Sequence, residues 1–303
     1  MNIEKIEYNG WLNCYRLFND LVELVITSDV GPRIIRYAFI GEPNEFMENS
    51  EDAGKTGGID WRLYGGHRLW HAPEDKVRTY FPDNYAVQVR QYSKFLRVTQ
   101  LTEPTTGIQK EIDIRLDPET SHVKVTHRLV NNNLWQIELS AWALSVMDVG
   151  GVAILPLPPR GQHPKDILPS STLTLWPYTD LSDPRWTLGK KYILFRQNPR
   201  WPNPQKIGAL VPDGWVAYAR AGHLFVKKFT CYLDGAYPDF GCSVELFNRS
   251  EMAEMETLGP LVPLAPGDGV EHIEDWYLVN NVLQPDSEAD VEQFVTPRIA
   301  ELK

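Results

Sequence analysis

Residues 65–74 read Gly65-Gly66-His67-Arg68-Leu69-Trp70-His71-Ala72-Pro73-Glu74, placing two imidazoles, a guanidinium, an indole and a carboxylate within ten positions. Imidazole changes charge near neutral pH, which makes His67 and His71 candidates for general acid or base work. Arg68, Trp70 and Glu74 are candidates for holding a ligand. In an extended strand His67, Leu69 and His71 face one way and Arg68 and Trp70 the other, so both histidines can enter one cleft. The competing use of the two rings is hydrogen bonding to loop backbone. The Gly65-Gly66 pair either lets backbone approach a ligand or forms a bulge.

A second cluster, Glu254-Met255-Glu256-Thr257-Leu258-Gly259-Pro260, puts Glu254 and Glu256 on one strand face. A partly buried carboxylate has a raised pKa and can act as a base, the role assigned to Glu256; on an outer face both groups would merely be solvated. Asp239, in the turn Tyr237-Pro238-Asp239-Phe240-Gly241, and Glu245 on the following strand add carboxylates nearby. No histidine stands at ligand spacing beside them, so no metal site is expected. The stretch Trp176-Pro177-Tyr178-Thr179-Asp180 offers aromatic faces next to a carboxylate, which suits the apolar face and hydroxyls of a sugar. Lys227 and Lys228 must face opposite sides of their strand, and Lys227 is assigned to the ligand side; an inward lysine is usually paired with a carboxylate. His127 lies on the apolar face of its strand and reads as a core histidine. No nucleophile elbow, Walker loop or dinucleotide-binding glycine motif is present, so no cofactor is expected.

The elements that must position these residues are strands. Alternation of period two, as in Val123, Val125, His127 and Leu129 against His122, Lys124, Thr126 and Arg128, recurs at 22–27, 33–39, 86–92, 95–101, 108–116, 137–147, 215–219, 223–232, 243–247, 252–257 and 272–279. This predicts an all-β protein, a large antiparallel β-sandwich or a barrel. Only 287–295 reads as helix, with Ser287 as N-cap and Pro297 beyond its end. Residues 155–206 carry ten of the 23 prolines and read as a long ordered loop, because its aromatic residues are costly to leave in water. Residues 1–303 are expected to form a single domain containing this loop region.

A 43% apolar content with ten tryptophans supplies a core, and a net charge of −10 opposes adhesion to nucleic acid or anionic membrane. No apolar run reaches about 20 residues and no signal pattern opens the chain, so a cytoplasmic location is expected. Cys14, Cys231 and Cys242 are too scattered for a disulfide framework.

Three segments in order, Gly65 to Glu74, Trp142-Ala143-Leu144-Ser145-Val146-Met147 leading to Gly150-Gly151 and Pro156-Leu157-Pro158, and Met255-Glu256-Thr257-Leu258-Gly259-Pro260 followed by Pro266-Gly267, resemble the galactose-mutarotase-like superfamily and more narrowly a bacterial branch of it. The resemblance implies a supersandwich fold. Aldose epimerases of this fold carry a catalytic glutamate in a late Leu-Glu-Thr-Gln context, which Glu256-Thr257 resembles with Leu258 in place of Gln. Arg68 is the nearest match to an arginine that contacts substrate hydroxyls. The family's histidine acid has no counterpart in Trp142 to Met147, so His67 or His71 is expected to replace it. The leading expectation is an aldose 1-epimerase-like isomerase with a Glu base and a His acid, acting on a small sugar or sugar-like ligand. The alternatives are a non-catalytic carbohydrate-binding protein, and a lyase or isomerase acting on another carbonyl compound or specialised metabolite. Nothing in the sequence fixes the oligomeric state.

Overall fold

The computed structural model describes residues 2–302. Two antiparallel sheets, one of eleven strands and one of ten, pack face to face as a sandwich. The alternation in the sequence is what builds them: Ile108–Leu116 and Val123–Asn131 bury every second side chain and leave those between partly or fully exposed, giving a pleat with one dry and one wet face. The core draws on both sheets, with Tyr37, Phe46, Phe225 and Trp276 at its centre. Phe46, Phe225 and Trp276 meet edge to face at 5.6–5.7 Å between ring centroids, the arrangement that aromatic quadrupoles favour.

In the eleven-stranded sheet the strands His67–Ala72, Ile137–Met147, Met252–Leu258, Val244–Arg249 and Gln205–Ala209 lie side by side in that order. Three of them, His67–Ala72, Met252–Leu258 and Gln205–Ala209, are buried at every position. One face packs on the second sheet; the other is roofed by loops carrying Trp61, Tyr80 and Tyr237.

Residues 155–206 depart from the expected loop. Val152–Pro156, Leu173–Leu175, Trp186–Leu188, Tyr192–Arg196 and Gln205–Ala209 are strands. Each is only three to five residues long, too short to display a period before a proline or turn interrupts it. The hairpin Asn2–Tyr8 and Trp11–Phe18 forms one end of the eleven-stranded sheet, beyond the strands that the alternation marks. Its Asn9-Gly10 turn, with both φ values positive at 46° and 90°, is a strong short-range hairpin signal.

The Ser287 cap is present as a capping box with Asp290, but helical turns continue through Thr296–Ala300. Pro297 falls in the first turn of that last segment, where a missing N–H costs nothing. Val291, Val295 and Ile299 seat these turns against Val152, Ile154 and Leu194. Gly65 and Gly66 have φ of 91° and 67°, and a Cβ on either would strike the carbonyl of Met47 or Ile34. The close approach is to neighbouring backbone.

Candidate functional site

The outer face of the five-strand platform carries a cleft of about 280 Å³. Strand register assembles its floor. Arg68 stands opposite Leu144, Leu144 opposite Glu256, and Glu256 opposite Glu245. One row along, Trp70 pairs with Trp142, and on the far side Glu254 faces Phe247, which faces Lys206. Period two then does the sorting: in Met252–Leu258, Ala253 and Met255 enter the core while Met252, Glu254 and Glu256 face the cleft.

Glu256 is fully buried at the cleft floor. Its Oε2 accepts from Trp142 Nε1 at 2.9 Å and from Lys206 Nζ at 2.9 Å. Its Oε1 has no nitrogen donor, and the Glu245 side chain engages the same carboxyl. Lys206 Nζ also lies 2.7 Å from Glu245 Oε2 and sits over the rings of Trp142 and Trp176 at 4.9 and 4.6 Å. Burial alone would depress the Lys206 ammonium, yet the carboxylates of Glu245 and Glu256 hold it well above its ordinary value. Burial pushes both carboxyls up, Glu245 the further, against the pull of Lys206. The Glu256 charge adds to the rise at Glu245, and the Glu254 charge adds to that at Glu256.

Arg68 is 3% exposed and lies over Trp70 at 4.4 Å and Trp61 at 5.7 Å. Its Nη2 donates to Glu254 Oε1 at 2.9 Å, while Nε and Nη1 are buried without a partner. Glu74, at the mouth, accepts from Tyr80 Oη at 2.6 Å. Tyr178 lines the cleft, and burial pushes its hydroxyl up to about 12. Donors on Arg68 and an acceptor on Glu256 thus lack protein partners in one cleft with aromatic walls, the pattern that hydroxyls on a ring satisfy.

The structure therefore brings together Arg68, Trp70, Glu74, Tyr178 and Glu256, with Trp176 behind Lys206. It leaves out the others. Asp180 spends its carboxylate on Ser182, accepting from N at 2.8 Å and Oγ at 2.6 Å. Asp239 has φ 51°, and its carbonyl takes the hydroxyl of Thr174 at 3.0 Å, a turn-forming role. Lys227 does meet a carboxylate, Glu274 at 2.6 Å, but between the sheets.

The histidines are the main correction. Period two does divide His67 and His71 from Arg68 and Trp70, but the cleft lies on the arginine side. Among the described residues no histidine lines it. His67 enters the core, where Nε2 meets His127 Nε2 at 2.7 Å and Nδ1 meets Ser145 Oγ at 2.9 Å. His127 Nδ1 donates to the His272 carbonyl at 2.9 Å, and His272 Nε2 meets Thr257 Oγ1 at 2.7 Å. Burial holds all three imidazoles below their ordinary value. His67, His127 and Glu274 offer ligand atoms within 4.8 Å of one another. The Glu274 carboxylate is already held by Lys227 and by Trp276 Nε1 at 2.7 Å, so a metal would sit against a buried ammonium. His71 faces a separate cavity.

Lys206, Trp61 and Tyr80 are among the cleft residues not singled out from the sequence. Lys206 had one usable signal, the alternation of Ile207, Ala209 and Val211, which places the lysine on the opposite face.

Sheet order and face-to-face packing define an antiparallel β-sandwich with a polar cleft on its central strands. The sequence matches no protein-family model and no curated protein. Solved structures resemble it over nearly full length. Slr1438 from Synechocystis sp. is 10% identical with a TM-score of 0.58, covering 91% of this chain and 99% of that one. A galactose mutarotase-like protein from Lactobacillus casei is 9% identical with a TM-score of 0.56, over 88% and 100% of the two chains. A galactose mutarotase related enzyme from Lactobacillus acidophilus is 10% identical with a TM-score of 0.55, over 90% and 100%. At such identities the likeness establishes the fold. No helix among the described residues is long and apolar enough to cross a membrane.

Proposed function

We propose that the cleft belongs to an isomerase acting at the anomeric carbon of a small sugar, with Glu256 as its base. The observation that carries this is the unpartnered Glu256 Oε1, buried at the floor of the cleft that Arg68 also lines. Burial raises this carboxyl, which brings its basicity nearer to neutral pH. Oε1 takes the proton of the anomeric hydroxyl. The bond between the anomeric carbon and the ring oxygen breaks, its electron pair goes to that oxygen, and the aldehyde recloses on the other face.

With no imidazole in the cleft, Lys206 is the proton donor to the ring oxygen. Once Glu256 is protonated, the ammonium loses part of its counter-charge and becomes a stronger acid. Its 2.9 Å contact with Glu256 lets the proton return when the ring closes. Arg68 holds hydroxyls, and Trp70 and Tyr178 flank the ring. The missing histidine is the observation that favours the other reading, a carbohydrate-binding protein without turnover.

NMR saturation transfer between the anomers of freshly dissolved aldoses separates the two. Exchange accelerated by the protein and lost with Glu256→Gln is expected. Sugar that binds with no acceleration would establish the binder instead.

A further inference from the structure

We propose that a second ligand site lies on the other side of the strand His67–Ala72, built around His71 and taking a small neutral polyhydroxylated molecule with an apolar face. The site does not rest on the isomerase reading. A cavity of about 220 Å³ opens there, lined by His71, Arg78, Ile108, Trp135, Glu138 and Leu139 among others, and it shares no residue with the main cleft.

His71 is 4% exposed, and its Nε2 has no partner in the protein. The Arg78 backbone engages the same ring, and the ring lines the cavity with Nε2 as its unpaired nitrogen. Burial depresses the imidazole to about 3, so it stays neutral at physiological pH. A buried acceptor left unpaired is costly, and a ligand hydroxyl supplies the missing donor.

The charges around the cavity argue for a neutral occupant. Arg78 and Glu138 are exposed and of opposite sign, while Lys110, the cation that His71 feels most, is paired with Glu103 at 2.6 Å. Donor and acceptor thus stand at the rim with no net charge to attract an ion. Trp135 is 63% exposed and lines the cavity together with Ile108 and Leu139. A flat indole left in water next to aliphatic side chains suits the C–H face of a ring while its hydroxyls meet His71, Arg78 and Glu138.

The test uses full-length protein labelled with ¹⁵N at histidine, titrated with D-galactose, D-xylose and myo-inositol. Expected for at least one probe are a saturable shift of the His71 Nε2 resonance, with Kd of about 1 mM or tighter, and nuclear Overhauser contacts from ligand C–H groups to the His71 and Trp135 rings. Trp135→Ala, which removes an exposed side chain and spares the core, should weaken this binding about tenfold or more. The proposal is overturned if His71 does not respond, if its shift stays linear in ligand concentration, or if the contacts fall only on Trp70, Trp142 and Tyr178. Failure here leaves the anomeric exchange catalysed at the main cleft unaffected, so the two readings fail separately.

Discussion

Glu256 and Glu245 face each other across one strand pair, fully buried, with only Lys206 between them as counter-charge. Such a group is unstable with any member missing, since a buried charge without its partner bears most of its desolvation cost. Lys206→Met should lower unfolding free energy by about 3–5 kcal/mol, and adding Glu245→Gln should recover part of that, both read by denaturant titration. If the double variant is no more stable than the single, the cluster is not electrostatically coupled. Glu256→Gln has a different signature: the amide keeps the shape but takes no proton at neutral pH, so turnover should fall by about 100- to 10,000-fold while sugar binding persists. A variant that melts earlier yet turns over normally would remove Glu256 from the mechanism. Glu256 and Arg68 were legible in the sequence because each stands in a dense polar cluster within a recognisable strand. Lys206 was not, because its strand is five residues long and follows Pro202 and Pro204.

At the scale of the strand, period two told which side chains share a face but not which face meets the ligand. The two are easily distinguished when one face is wet, as in Val123–Asn131. His67–Ala72 is buried on both, so the pattern gives no sign, and the histidines went to the wrong side. Their actual setting has a pH consequence. His272 is held at about 3 by burial, against 6.5 when free. A base with a depressed folded pKa is neutral in the fold and binds a proton more readily when unfolded. Its contribution to stability is therefore complete above about pH 6.5 and is lost as pH falls toward 3. Glu245 and Glu256, raised in the fold, slope the opposite way above pH 4.5, so the wild-type curve alone is ambiguous. The difference is clean. Between about pH 3 and 6.5, His272→Gln should flatten the dependence of unfolding free energy on pH by up to about 1.4 kcal/mol per pH unit. Parallel curves would mean that His272 titrates normally in the fold.

Over the whole molecule, each half of the chain supplies part of both sheets. In one, Ile137–Met147 from the first half pairs with Met252–Leu258 from the second. In the other, Val123–Asn131 pairs with Gly269–Asn280. The cleft straddles the first seam, with Arg68, Trp70 and Trp142 on one side and Glu256, Glu254 and Lys206 on the other. The buried network crosses as well, from His67 and His127 to His272. A chain cut at Gly150-Gly151, a turn between strands, would leave each half with long unpaired strand edges and an open core, the condition that drives aggregation. The halves are therefore expected to behave as one cooperative unit. Residues 1–150 or 151–303 expressed alone should be insoluble or unfolded by circular dichroism. Co-expressed, they should associate, recover the β spectrum and bind sugar, because the seam hydrogen bonds and the core supply the contacts that the covalent link only brings near. If either half alone gave a single sharp calorimetric transition with dispersed NMR signals, the halves would be separate domains and the cleft an interface between them.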